Sequence, residues 1–182
     1  FDALVRRGAD GRFRPAVAES WDVAEDARHW RFKLRPGLNF HDGSRLDAEA
    51  MKFSIERMMR PEIGATLGAP AVWGQYLNGA TVTVEDPVTL TITTVEPIAD
   101  LLDILVSGYA LPPHAADAPN FLEAPIGSGA YRVDAVTPGE EIHLSSNPEW
   151  WGEPVANPKI VCRRARDPSG RSAALRAGNC EV

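Results

Sequence analysis

The sequence has 182 residues, enough for one domain with a substantial core or for two small subdomains. Its 44% hydrophobic and 24% charged residues are ordinary for a soluble globular protein, and a formal net charge of −6 leaves no basic footprint for nucleic acid. No apolar run approaches the ~20 residues that span a bilayer.

No Met, basic region or apolar leader opens the chain at Phe1, so the sequence is expected to start inside a longer protein or after a removed leader. Cys162 and Cys180 make no disulfide framework and read as two small, semi-buried hydrophobes, with a single bridge as the alternative. His29, His41, His114 and His143 are scattered without ligand spacing, so no metal site and no cofactor is expected.

In chain order, Asp10-Gly11 is a turn that leads through Arg12–Pro15 to a first strand, on which Val17, Glu19, Trp21 and Val23 share a face. Trp30, Phe32 and Leu34 then alternate with His29, Arg31, Lys33 and Arg35, the period-2 mark of a sheet with one buried face. Glu25-Asp26-Ala27 joins the two strands, and Pro36-Gly37 ends the second. Asp47 reads as the N-cap of a helix over 48–59, with Met51, Ile55, Met58 and Met59 as its apolar stripe and Pro61 as its stop.

Residues 62–79 are rich in Gly and Ala and carry Trp73 and Tyr76. Thr81–Val84 and Val88–Val95 flank Glu85-Asp86-Pro87 as a hairpin, and Ile98, Leu101, Leu102 and Leu105 predict a second helix. Strands follow near 130–136 and 140–146 about Pro138-Gly139, then a strand at 159–165 and a helix over 169–177 that ends at Gly178. This interspersion predicts an α+β fold with mixed β-sheets and flanking helices. Residues 1–45 with 125–182 are expected to form the main subdomain, and 46–124 an inserted second one.

Several stretches resemble one family. AESWDV, HWRFKLRPGLNFHDG and the helix to SIER, within 18–57, are similar to the extracellular solute-binding proteins of peptide and nickel ABC transporters, solute-binding family 5. FDALV at 1–5, PIGSGAYRV at 125–133, NPEWWG at 147–152 and the run from Lys159 to Val182 extend the likeness in order. Three departures stand out: Ala50 where the family has Asp, Ala130 where it has Pro, and Asn179-Cys180-Glu181 in place of the usual helix exit.

The resemblance implies lobe one of a two-lobed, periplasmic-binding-protein-like (class II) fold, in members about three times longer that carry a signal peptide. It implies a peptide or similar small ligand in a cleft, ABC permease subunits as partners, and a periplasmic or extracellular location with a lipid anchor as one mode of attachment. It also implies no enzyme activity. A hydrolase or a sensor without transport is the alternative, although no nucleophile elbow or zinc-protease motif occurs. An isolated lobe is expected to bind ligand weakly and to self-associate through the face lobe two would cover.

On this resemblance the cleft is faced by 71–77 and 105–109. Trp73 is open to two readings, a ligand wall or core, whereas Tyr76 reads as core packing. Tyr109, after Ser107-Gly108, reads as a ligand contact, and Ser107 offers a hydroxyl in the same loop. Gly127-Ser128-Gly129 lacks the Lys and helix of a phosphate cradle and reads as a tight strand entry beside the hinge. Trp150-Trp151 reads as structural packing rather than as a carbohydrate platform.

Overall fold

A computed structural model describes residues 1–60, 62, 69–165, 167–178 and 180, with the backbone alone described at 69–71. The expected helix stop at Pro61 and the atypical exit at Asn179 and Glu181 lie outside the described residues.

Strands β1 (Val5–Arg7) and β2 (Phe13–Pro15) form a short antiparallel pair. The sequence pattern misses β1, because three residues are too few to show alternation. Strands β3 (Ala18–Val23), β4 (His29–Leu34), β5 (Thr81–Asp86) and β6 (Thr89–Thr93) make a four-stranded sheet in the order β3-β4-β6-β5, with every pairing antiparallel.

Strand β4 sits in the middle and obeys the alternation: Trp30, Phe32 and Leu34 are buried, while His29, Arg31 and Lys33 face water. Burying each large side chain contributes about 1.5–3 kcal/mol. On the wet face the Arg31 guanidinium donates to both Glu85 oxygens, a link of modest value at an exposed site.

This sheet crosses the expected division at residues 45 and 46. Trp30 and Phe32 of β4 lie opposite Ile92 and Leu90 of β6, so strands from both expected subdomains share one core. The reason is physical: an alternating strand declares which face is buried, not which strand lies beside it.

Helix α1 (Ala48–Met58) packs its Met51 and Ile55 into that core, with Ala48, Ala50 and Ser54 on the same buried face. Met58 and Met59 are only partly buried. The Asp47 carboxylate accepts the Ala50 N–H at 3.1 Å, and the Ala48 N–H donates to Pro87 O at 2.9 Å, tying the helix start to the β5–β6 turn. Asp47→Ala is expected to destabilise the protein by about 1 kcal/mol and lower its Tm by about 2–4 °C, readable by thermal circular dichroism.

Helix α2 (Ala69–Tyr76) occupies the Gly- and Ala-rich stretch where no element is predicted. Helix α3 (Leu101–Leu105) is shorter than its apolar stripe, and Ile98, ahead of it, donates its N–H to Ala27 O at 3.0 Å. The chain closes with β7 (Tyr131–Thr137), β8 (Glu141–Ser146) and β9 (Lys159–Arg163) as an antiparallel meander, then α4 (Pro168–Arg176). Asp167 caps α4 by accepting the Gly170 N–H. Cys162 and Cys180 are both free and exposed, not semi-buried, since β9 is an edge strand with little packed over it.

Candidate functional site

Loops from four distant parts of the chain meet at one surface. The first residues run between the 107–110 loop and the 127–129 loop: Ala110 N–H donates to Asp2 O at 2.8 Å, and Asp2 N–H donates to Ser128 Oγ at 3.1 Å. Ala3 and Tyr109 form an isolated antiparallel bridge. The Phe1 ring stands 6.4 Å from the Tyr109 ring and 6.4 Å from the Phe121 ring, tilted against both, a favourable geometry for aromatic pairs. Tyr109 is 50% exposed and Phe1 47%, so these two rings face solvent, with the half-buried Phe121 beside Phe1.

The support beneath this face is closely packed. A Cβ at Gly129 would lie 2.8 Å from the Phe1 backbone nitrogen, so only glycine admits that approach. A Cβ at Gly127 would lie 3.1 Å from the Phe1 ring. Ser128, 3% exposed, spends its hydroxyl on Asp2, which makes the Gly-Ser-Gly segment a seat for the N-terminal residues.

His41 holds the other side of the segment. Its backbone N–H donates to Gly127 O at 2.8 Å, Nδ1 accepts the Gly127 N–H at 3.3 Å, and Nε2 lies 2.9 Å from Gly129 O. Burial pushes the His41 imidazole below its ordinary value, against the bond to Gly129. Asp42 turns away, accepting from Ser44 and pairing with His114 Nε2 at 2.8 Å. Burial raises its carboxyl, but those hydrogen bonds outweigh it and hold the group below the usual carboxylate range.

Asp2 anchors the start of the chain. Its Oδ2 accepts the indole N–H of Trp150 at 3.2 Å and that of Trp151 at 3.1 Å, while the Arg35 guanidinium lies 4.6 Å over the Trp151 ring. The tryptophan pair thus serves packing and anchoring.

The expected site residues separate into three kinds. Tyr109 lies at the exposed aromatic face. Trp73 is 2% exposed within the core and offers no wall to ligand, because Gly108 rests on it: a Cβ at 108 would fall 2.7 Å from the indole. Trp73 therefore shapes the loop that carries Tyr109 from beneath. Tyr76, expected to pack in the core, is 38% exposed on α2 instead, and the Ser107 hydroxyl donates to Ile104 O at 2.8 Å, finishing the α3 turn.

Phe1, Asp2, His41 and Phe121 escape the sequence reading. The FDALV and NFHDG segments hold three of them, but only the tertiary structure shows what each touches. Two shallow grooves flank this region. One lies beside the loop and is lined by His41, Asp42, Pro125, Ile126, Arg132 and Asp134; the other runs over β7–β9 by His143 and Lys159.

Antiparallel sheets with short helices, and loops gathered at one surface, form a periplasmic-binding-protein-like domain. NikZ from Campylobacter jejuni, solved with Ni(L-His), superimposes with a TM-score of 0.89 at 27% identity, covering 98% of this chain and 36% of NikZ. The periplasmic binding protein DppA from Helicobacter pylori, solved with the peptide STSA, gives 0.87 at 25% identity, covering 98% of this chain and 39% of DppA.

The family model for bacterial extracellular solute-binding proteins, family 5 Middle, matches residues 12–182, and the chain belongs to that family. The glutathione-binding protein GsiB of Salmonella paratyphi A is 26% identical over 190 residues, covering 100% of this chain and 35% of GsiB. The chain therefore spans about a third of the length of these relatives.

Proposed function

We propose that this chain is part of the substrate-binding component of an ABC importer, one that captures a peptide, or a related small ligand such as a metal chelate, and hands it to a membrane permease. The observation that carries the reading is the aromatic trio of exposed Phe1 and Tyr109 with half-buried Phe121, seated on the closely packed 127–129 segment. Aromatic rings on a closely packed base supply contact area at little entropic cost, which suits ligands that vary in side chain.

The names of the relatives support the ligand class: one binds glutathione, one was solved with Ni(L-His) and one with a peptide. In this reading a second lobe closes over the ligand and the permease engages the closed form, in the periplasm or outside the cell. The 127–129 segment lies on the hinge side, the protein catalyses no reaction, and a lobe without its partner binds weakly and self-associates.

The test is titration calorimetry of the full-length protein with glutathione, the peptide STSA and Ni(II)–L-histidine. Saturable micromolar binding of any of the three is expected. Absence of heat with all three overturns the reading.

A further inference from the structure

One ring closes both ends of the Gly127–Gly129 segment. Nδ1 of His41 receives the Gly127 N–H, so that nitrogen carries no proton. The proton then sits on Nε2, which donates to Gly129 O at 2.9 Å, an oxygen that also receives the Asn147 side-chain amide at 3.3 Å. The hydrogen bonds thus specify one tautomer of the neutral imidazole.

We propose that His41, as the neutral Nε2–H tautomer, is the positioning residue of this segment, and that its protonation in acid frees the Gly127 end and loosens the aromatic face above it. A proton on Nδ1 sets two donors against each other and leaves the Gly127 N–H without its acceptor. The Gly129 end is unaffected, since Nε2–H donates in either state and Asn147 backs it. Gly127 lies against the Phe1 ring, and Phe1 against Tyr109, so release at Gly127 is felt at the face proposed to meet ligand.

The charges around the ring are mixed. Asp2, on the N-terminal segment, attracts an imidazolium; Arg132 on β7 repels it. Asp42 and Asp134 line the adjoining groove, and Asp42 is already taken by Ser44 and His114. Burial leads the balance and disfavours the charged ring. The folded protein therefore resists the proton more than the unfolded chain does. The clamp is fully stabilising above about pH 6.5 and is lost as pH falls through the lower folded value.

Nitrogen NMR of the labelled protein without ligand tests the clamp. At pH 8 His41 is expected as the Nε2–H tautomer, titrating below the ordinary histidine range, with the Gly127 amide shift and exchange rate following the same midpoint. A Nδ1–H tautomer, titration at or above the ordinary range, or a Gly127 amide that ignores the transition overturns the proposal. H41N, whose side-chain oxygen takes the place of Nδ1, is expected to keep Gly127 protected into acid. H41A is expected to expose it at every pH, and if H41A fails to fold, H41N alone decides.

The consequence for ligand rests on the transport reading above. Calorimetry with the probe that binds best is carried from pH 8 down through the His41 titration seen in the ligand-free protein. In the parent protein affinity is expected to stay constant above that transition and to fall by up to about tenfold per pH unit below it, with a flat profile in H41N. A flat profile in the parent overturns the link to ligand. No binding at any pH counts against the transport reading instead, and the ligand-free measurement then decides the clamp.

Discussion

Trp73→Ala is expected to remove about 3–5 kcal/mol of stability, seen as a lower denaturant midpoint with little change in slope. The indole is fully enclosed with Leu77 and the α3 leucines, and Gly108 lies across it, so its loss opens a cavity under a loop too short to collapse. A side chain acting as an exposed wall would behave oppositely, with stability near that of the parent and loss confined to affinity. A stability change below about 1 kcal/mol would contradict the core assignment.

Tyr109→Ala reverses that signature. Half of its surface faces solvent and, among the described residues, its ring pairs with the Phe1 ring only, so the stability cost is expected to stay within about 0.5 kcal/mol. Ligand affinity, measured by calorimetry on the full-length protein, is expected to fall by about 1–3 kcal/mol, the range of a stacked aromatic contact at a binding centre. Tyr109→Phe separates ring from hydroxyl: retained affinity assigns the contact to the ring. Unchanged affinity in Tyr109→Ala would remove this residue from the site.

Strand β4 and the cap at Asp47 are legible in the sequence because both are local: alternation and a carboxylate three residues before an amide need no partner to be recognised. Helix α2 is not legible, for its Gly, Pro and Ala content masks helical periodicity, and it lacks acidic or basic residues in its terminal turns. The sheet that crosses the expected division is not legible, because β4 pairs with a strand some sixty residues further on, and that choice is made by packing. Tyr109, read from the small residues before it as a ligand contact, is exposed. Trp73, open to either reading, is buried, and Tyr76, expected in the core, is exposed, since an aromatic residue in an unpatterned stretch carries no sign of the face it occupies. A lone histidine reads as surface, and the three bonds of His41 depend on a loop 86 residues away.

The C-terminal third sets a further condition on the molecule. Between Tyr131 and Cys180 only Asn147 is buried among the described residues, and α4 buries none of its side chains. What joins β7–β9 to the rest is mainly a polar knot: Asp2 with the two indoles, Asn147 with Gly129, and Arg35 over Trp151. In this chain such a region is expected to open at a lower cost than the sheet around β4 and β6, which amide hydrogen exchange would read as weaker protection in β7–β9. The carboxylate of Asp2, 149 residues from Trp151, is the tie between the two parts.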